Sequence, residues 1–434
     1  MLRSSCVRLA PGGLFIKRFD LIDEAPGSSE RGRGKWLAVG LLWFVVLFNY
    51  GDRLAIFSVF PLLKQQMSLT DVQLGVLGSS FMWMYAAFGP FAGWVGDRVS
   101  RKWIIIGSLV FWSVVTALTA VCQNFGQLVV CRALGGLGEA FYFPAAMSMI
   151  GDYHSPRTRS RAMSVHQSAV YAGSIAGASI PAVLGQRHGW RLSFVLFGVC
   201  GVVLGLVLTR LLREPKRTVE SATVGREPIW TAFGEIFRNS TVLYLMLIFM
   251  GANFVAVIFL TWLPTFLFTK FHMSLAMAGL NSSAYLQIAS LVGVICGGLL
   301  ADWFASQRRG GRMWTQAIGL FGGVPFLFLT GWTTSVVVLV SAMTGFGLFK
   351  GIYDANIFAS LYDVVPVRRR AAVVGMINSM GWLAGGTAPV VVAVAAAHVG
   401  LSACISATAC IYLVIGLWMW RLSIRMSRSE GGYR

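Results

Sequence analysis

Six ionisable residues stand inside apolar stretches of this chain: the acids Asp52, Glu139 and Asp354, and the bases Arg53, Arg132 and Lys350. An ionised side chain at the centre of a bilayer costs at least about 2.5–3.5 kcal/mol, so each needs a partner or a water-filled cavity. Their order suggests three acid–base pairs. Asp52 and Arg53 are adjacent in Asn49-Tyr50-Gly51-Asp52-Arg53; Arg132 and Glu139 are seven apart and share a helix face; Lys350 and Asp354 are four apart and can bridge each other. A carboxylate beside a fixed arginine keeps its charge until the arginine withdraws or water is excluded, and it can then take up a proton. Glu139 is the first expected proton carrier and Asp52 the second. A static ion pair locking two helices together is the alternative. Lys350 is expected to anchor an anionic group of a substrate, with Asp354 holding it until cargo arrives, or else the two form a self-contained bridge. Arg53 and Arg132 add positive charge to the same cavity. Tyr353, Asn356 and Asn378 offer neutral hydrogen bonds, and Gly345, Gly347 and Gly351 permit close approach of a ligand.

The elements that must position these residues follow from composition. Of 434 residues 56% are hydrophobic and 12% charged, and the mean hydropathy is +0.69. That balance excludes a water-soluble globular domain and defines an all-α polytopic membrane protein. A helix crossing the hydrocarbon needs about 20 mostly apolar residues. Twelve such runs occur, at 36–63, 72–96, 103–122, 126–150, 162–186, 191–212, 240–264, 277–301, 313–333, 335–361, 371–396 and 401–420. With a rise of about 1.5 Å per residue, Asp52, Arg132 and Glu139 fall in one layer and Lys350 near the midplane.

Charge placement predicts orientation, because cytoplasmic loops carry the excess of Lys and Arg. With the N-terminus inside, cytoplasmic segments hold 29 of the 36 Lys and Arg, and the outer loops hold four: Lys64, Arg187, Arg191 and Lys270. Both termini are then cytoplasmic, in a bacterial inner (plasma) membrane. The net charge of +19 is largely topology, and no nucleic-acid partner is expected. Residues 1–35 and 422–434 form basic tails. The seven cysteines form no CxxC pair and are expected to pack, leaving no metal or cofactor site. His166 is expected to snorkel to water near a helix end. The run Phe81-Met82-Trp83-Met84-Tyr85 is expected to face lipid and pack between helices, with an apolar cavity wall as the alternative.

The chain also repeats itself. Gly93 to Asp97 at the end of the second run matches Gly298 to Asp302 at the end of the eighth, 205 positions on. Gly173, Gly177 and Pro181 match Gly381, Gly385 and Pro389 at an offset of 208. Two pseudo-symmetric six-helix bundles follow, 36–212 and 240–421, joined by a cytoplasmic linker at 213–239 with a surface helix expected at 229–238. Facing bundles enclose a midplane cavity, which is where such folds bind cargo.

These features together resemble the major facilitator superfamily over about residues 36–420. GWVGDRVSRK is similar to its loop 2–3 motif, which implies that Asp97, Arg98, Arg101 and Lys102 form a gating latch, with Asp302 in a degenerate second copy. NYGDR, Arg132, Glu139-Ala140 and IGDYHSPRTRSRA resemble both the anion:cation symporter family and bacterial spinster-like transporters. No GxxxxGK[ST], GxSxG or HExxH sequence is present, so secondary transport rather than catalysis is expected. Three cations in the cavity favour a small organic anion, a sugar acid or other carboxylate, moved with protons by alternating access. The spinster resemblance implies a lysophospholipid or other amphiphile instead. A sensor that kept the fold and lost turnover is the non-transporter alternative. Substrate, protons and membrane lipid are the expected partners of a functional monomer.

Overall fold

The computed structural model describes residues 28–96, 99–214, 234, 238–308, 310–366 and 370–428. They contain fourteen helices: α1 (Ser28–Ser58), α2 (Phe60–Gln66), α3 (Asp71–Gly96), α4 (Arg101–Thr119), α5 (Phe125–Ala140), α6 (Tyr142–Tyr153), α7 (Pro156–His188), α8 (Trp190–Leu211), α9 (Ser240–Lys270), α10 (Leu275–Gln307), α11 (Gly311–Trp332), α12 (Val336–Asp354), α13 (Ile357–Val364) and α14 (Arg370–Arg428). They make twelve crossings. Helix α2 continues α1 beyond Val59. Helices α5 and α6 are one crossing interrupted at Phe141, and α12 and α13 are one interrupted at Ala355 and Asn356. Helix α14 holds two crossings, separated at Gly400. The tail through residue 27 and the expected linker helix at 229–238, apart from residues 234 and 238, lie outside the described residues.

The repeat is written into the backbone. Gly189 turns α7 into α8 with φ 83°, and Gly400 makes the matching turn in α14 with φ 81°. Only glycine takes that conformation without strain. Ser68 and His272, before α3 and α10, share φ 50°. Polar caps start three of the helices: Asn124, Asn239 and Ser274 each accept a hydrogen bond from a first-turn backbone N–H.

Small residues set the helix contacts. Gly173 and Gly177 press α7 onto Leu47, Tyr50 and Gly51 of α1, and Gly381 and Gly385 press α14 onto Phe249, Asn253 and Val257 of α9. The equivalent pairs therefore do the same work in each bundle, the close packing that small-xxx-small spacing permits. Between bundles, α3 meets α14, α7 meets α10 and α1 meets α9.

One end of the molecule is shut. An apolar cluster of Leu54, Phe57, Phe60, Leu77 and Phe81 from the first bundle includes Ile258, Trp262, Ala388 and Val392 from the second. Gly78 packs on Pro389 of α14, and the Ala276 backbone N–H donates to Gln186 Oε1 at 2.9 Å. These contacts gather at the end opposite the chain termini.

The glycine contacts make a direct test. Gly177→Ala would put a methyl against the backbone of Gly51, a clash that typically costs about 1–3 kcal/mol. Gly298→Ala meets nothing within 4 Å. Thermal unfolding in detergent should show a lowered midpoint for the first variant and an unchanged one for the second.

Candidate functional site

Glycine also builds the site. Helix α5 carries Gly135, Gly136 and Gly138 between Arg132 and Glu139, and a Cβ on Gly136 would strike the backbone of Phe81 in α3. The bare face of α5 lets α3 and α4 close on it. Arg132 and Glu139 are thereby carried into the bundle centre, where they are 7% and 2% exposed.

Glu139 takes Arg53, not Arg132, as its partner. Arg53 donates to Glu139 Oε2 from Nε at 3.2 Å and from Nη2 at 2.9 Å, and Nη2 also reaches Asn49 Oδ1 at 3.3 Å. Four rings enclose the Arg53 guanidinium at 4.7–5.1 Å: Tyr50, Phe81, Tyr85 and, from the second bundle, Trp382. Desolvated cation–π contacts of this kind contribute about 2 kcal/mol or more. Arg132 donates from Nη2 to the Arg53 carbonyl at 3.2 Å and lies 4.6 Å from the Phe81 ring centre.

Asp52 departs from the three-pair expectation. Neither of its oxygens has a hydrogen-bond partner among the described residues, and it is 3% exposed. Adjacent residues on a helix point about 100° apart, so when Arg53 faces the centre Asp52 turns to α4, beside Trp112 and Thr116. Among the described residues there are therefore two ion pairs in the membrane interior, with Asp52 and Arg132 in the same layer but without a direct bond.

The second pair joins Lys350 to Asp354 on α12. Their side chains keep 18% and 28% exposure, so the pair is only half-buried. Tyr171 of α7 faces both, and Tyr50 is within electrostatic reach of Lys350 and Tyr171 as well as Arg53. Tyr50, stacked on Arg53, is thus near both ion pairs. Tyr353 points elsewhere, into the apolar core of the second bundle at 2% exposure. Asn356 donates to the Gly297 carbonyl at 3.1 Å while its own carbonyl accepts from Gln316 at 2.7 Å, holding the break between α12 and α13. Asn378 is half-buried on α14.

The pseudo-symmetry relates the two pairs. Adding 211 to Arg101 and Asp152 gives Arg312 and Asp363, and both couples are ion pairs. The same shift turns Phe125, the start of α5, into Val336, the start of α12, and Glu139 into Lys350. An acid in one bundle occupies the position of a base in the other.

Of the expected gating set, Asp97 and Arg98 lie outside the described residues. Arg101 is buried against Asp152 of α6, and Lys102 donates to the Thr209 carbonyl of α8 at 2.8 Å. Glu214 caps α4, accepting from the Arg101 and Lys102 backbone N–H groups at 3.1 and 2.7 Å. These contacts stay within the first bundle. Asp302 is exposed.

Two sequence expectations change. His166 does not snorkel: it is fully buried, and its Nε2 meets Tyr142 Oη at 2.9 Å while that hydroxyl donates to the Leu42 carbonyl at 3.0 Å. In the aromatic run, Phe81 and Tyr85 turn inward to Arg53, and Trp83 is exposed. Their i, i+4 spacing was the available signal for a shared face. Tyr171, Trp382 and Trp112 were missed, since an aromatic residue in an apolar helix looks the same whether it faces lipid or a cation.

Twelve crossings in two facing bundles, with paired charges at their centre, are the architecture of a membrane transporter. Residues 42–389 match the Major Facilitator Superfamily model, and the chain belongs to that superfamily. It is 27% identical to the probable L-galactonate transporter of Escherichia coli over 82% of this chain and 81% of that one. It is 29% identical to human protein spinster homolog 1 over 77% of this chain and 68% of that one. Its fold is similar to the crystal structure of a bacterial spinster homologue, with a TM-score of 0.78 and 21% identity over 91% and 98% of the two chains.

The two pseudo-equivalent ion pairs differ in burial: Arg101 and Asp152 are 4% and 5% exposed, Arg312 and Asp363 31% and 42%. Arg101→Ala removes a cation from a buried carboxylate and should lower stability by more than Arg312→Ala does. Arg312→Ala should cost less than about 1 kcal/mol. Thermal unfolding of the two purified variants checks the difference.

Proposed function

We propose that this chain is a proton-coupled symporter of a small organic anion, a sugar acid or another carboxylate, working by alternating access. The observation that carries the reading is the half-buried Lys350–Asp354 pair of the second bundle, with Tyr171 and Tyr50 of the first within electrostatic reach. A substrate carboxylate takes Lys350 from Asp354 and gains the charge-assisted bond the lysine already offers. Tyrosine hydroxyls and ring faces suit a polyhydroxylated carbon chain. The kinship with a probable L-galactonate transporter and a hexuronate transporter supports the same substrate class.

Glu139 is the proton carrier in this reading. Both bonds from Arg53 end on Oε2, so one oxygen holds the arginine while the other can hold a proton. The aromatic cage keeps the Arg53 guanidinium in place once its carboxylate is neutral, and Trp382 completes the cage only while α14 lies against α3. Protonation and bundle position are thereby linked. With both termini cytoplasmic in a bacterial inner membrane, the shut end is the outer one and the conformation faces inward.

The second reading, an amphiphile such as a lysophospholipid, draws on the likeness to spinster proteins. Uptake of labelled sugar acids and of lysophospholipid into proteoliposomes under an imposed pH gradient tests the two together. Saturable, pH-driven movement of the acid is expected; movement of the lipid alone would replace this reading with the other.

Glu139→Gln fixes the side chain in a neutral form, so pH-driven net uptake should fall to background while substrate counterflow persists. Loss of both modes equally would place the proton elsewhere. Lys350→Ala removes a charged hydrogen bond of about 1.5–3 kcal/mol, so KM for the anion should rise roughly 10- to 100-fold with a neutral analogue little changed.

A further inference from the structure

The turn that joins α4 to α5, at the end opposite the chain termini, brings two thiols together. Cys122 lies just past the end of α4 and Cys131 on the second turn of α5, and their sulfurs are 3.7 Å apart. Cys122 Sγ also donates to the Leu118 carbonyl at 3.6 Å. The turn between the two is pinned. Arg191 of α8 donates from Nη2 to the Cys122 carbonyl at 3.2 Å, Asn124 Oδ1 accepts from the Gln127 N–H at 3.0 Å, and Gln127 Oε1 accepts from the Gln123 N–H at 2.7 Å. Beside the sulfurs lies a groove of about 430 Å³, lined by Leu118, Val121, Gln127 and Val130 together with both cysteines. Val121 and Val130 are 69% and 56% exposed, so the groove opens on the surface of the first bundle. Cys122 is buried beneath it and Cys131 only half-buried.

We propose that Cys122 and Cys131 are a redox-active pair, which a small external disulfide entering the groove oxidises to a bond that staples α4 to α5. A disulfide bond is about 2 Å long, so the sulfurs have less than about 2 Å to close, within the swing of their side chains. Held in contact by a pinned turn, each thiol meets the other at high effective concentration. Cys131, the less buried, attacks one sulfur of the external disulfide and expels the other half as a thiol. Cys122 then attacks the Cys131 sulfur of this mixed disulfide and expels the second half. Two cysteine thiols are oxidised, one external disulfide is reduced to two thiols, and the two protons leave on the thiols expelled. Arg132 follows Cys131 directly, so the staple fixes this end of the helix that carries Arg132 and Glu139 into the site. In the proposed orientation this end faces away from the cytoplasm, where disulfides persist. The pair acts whatever the substrate is.

The test oxidises the purified full-length protein in detergent with hydroxyethyl disulfide in excess over mercaptoethanol, then denatures it in dodecyl sulfate with N-ethylmaleimide to trap every remaining thiol. No Lys or Arg lies between Lys102 and Arg132, so trypsin releases both cysteines on one peptide. That peptide should carry no maleimide and weigh two hydrogens less than its reduced form. Dithiothreitol before trapping should restore both maleimides. Cys122→Ser should stop at a mixed disulfide on Cys131. The oxidised wild type should unfold at a higher temperature than the reduced protein, and Cys131→Ser should show no such shift. Two maleimides on the oxidised peptide, or a wild-type mixed disulfide on Cys131 that never resolves, overturns the inference. So does a Cys122–Cys131 bond that leaves the unfolding midpoint unchanged or lowered, because such a bond staples nothing.

Discussion

The arginine–carboxylate bond between α1 and α5 is the interaction around which the first bundle is arranged. Arg53 and Glu139 are each at most 3% exposed, and neither ion could stay inside a bilayer without the other. The pairing requires backbones close enough for a short reach, which the glycines of α5 allow against Phe81 and those of α7 allow against α1. It also requires a second source of stabilisation for the guanidinium, supplied by four aromatic rings. A buried ion pair is weak support for stability as such, because desolvation offsets most of the Coulomb gain. In the proposed symport, this pair is where the proton is carried.

The pseudo-twofold relation sets this pair against its counterpart in the other bundle. The shift that superposes Arg101–Asp152 on Arg312–Asp363 places Glu139 on Lys350. Both central residues stand just before an interruption, at Phe141 in one crossing and at Ala355 and Asn356 in the other. A break ends the run of internal hydrogen bonds and frees the local backbone to follow its ligand. The symmetric frame thus carries an acid in one bundle and a base in the other, which the proposed symport assigns to a proton and to an anion.

Closure at one end is made of different material. Apolar side chains from both bundles, with glycine and proline on α3 and α14, meet there with no ion pair from one bundle to the other among the described residues. Such a surface can separate without breaking strong directional bonds. The polar contacts of the terminal side, in contrast, are confined within bundles and stiffen each one: Arg101 to Asp152, Lys102 to Thr209 and Glu214 to the start of α4. Rigid bundles with a soft seam are what rocking about a central site requires.

Much of this was legible in the amino-acid order. Apolar length gave the crossings, since hydrocarbon thickness sets helix length directly. The spaced Gly and Pro residues exposed the repeat, and the rarity of charge in apolar runs singled out the six central residues. Lys350 and Asp354 could be paired on spacing alone, because four residues of one helix bring them together. Partners on different helices could not. That Arg53 serves Glu139 while Asp52 turns to Trp112 depends on the rotation of α1 against α4 and α5. The enclosure of Arg53 by Trp382 depends on two bundles nearly 330 residues apart in sequence at that point. The burial of His166 against Tyr142 likewise follows from how α6 and α7 pack. Local pattern encodes which residues are costly in a membrane; only the tertiary structure decides which neighbour meets that cost, because the contact lies across helices and no periodicity in the chain records it.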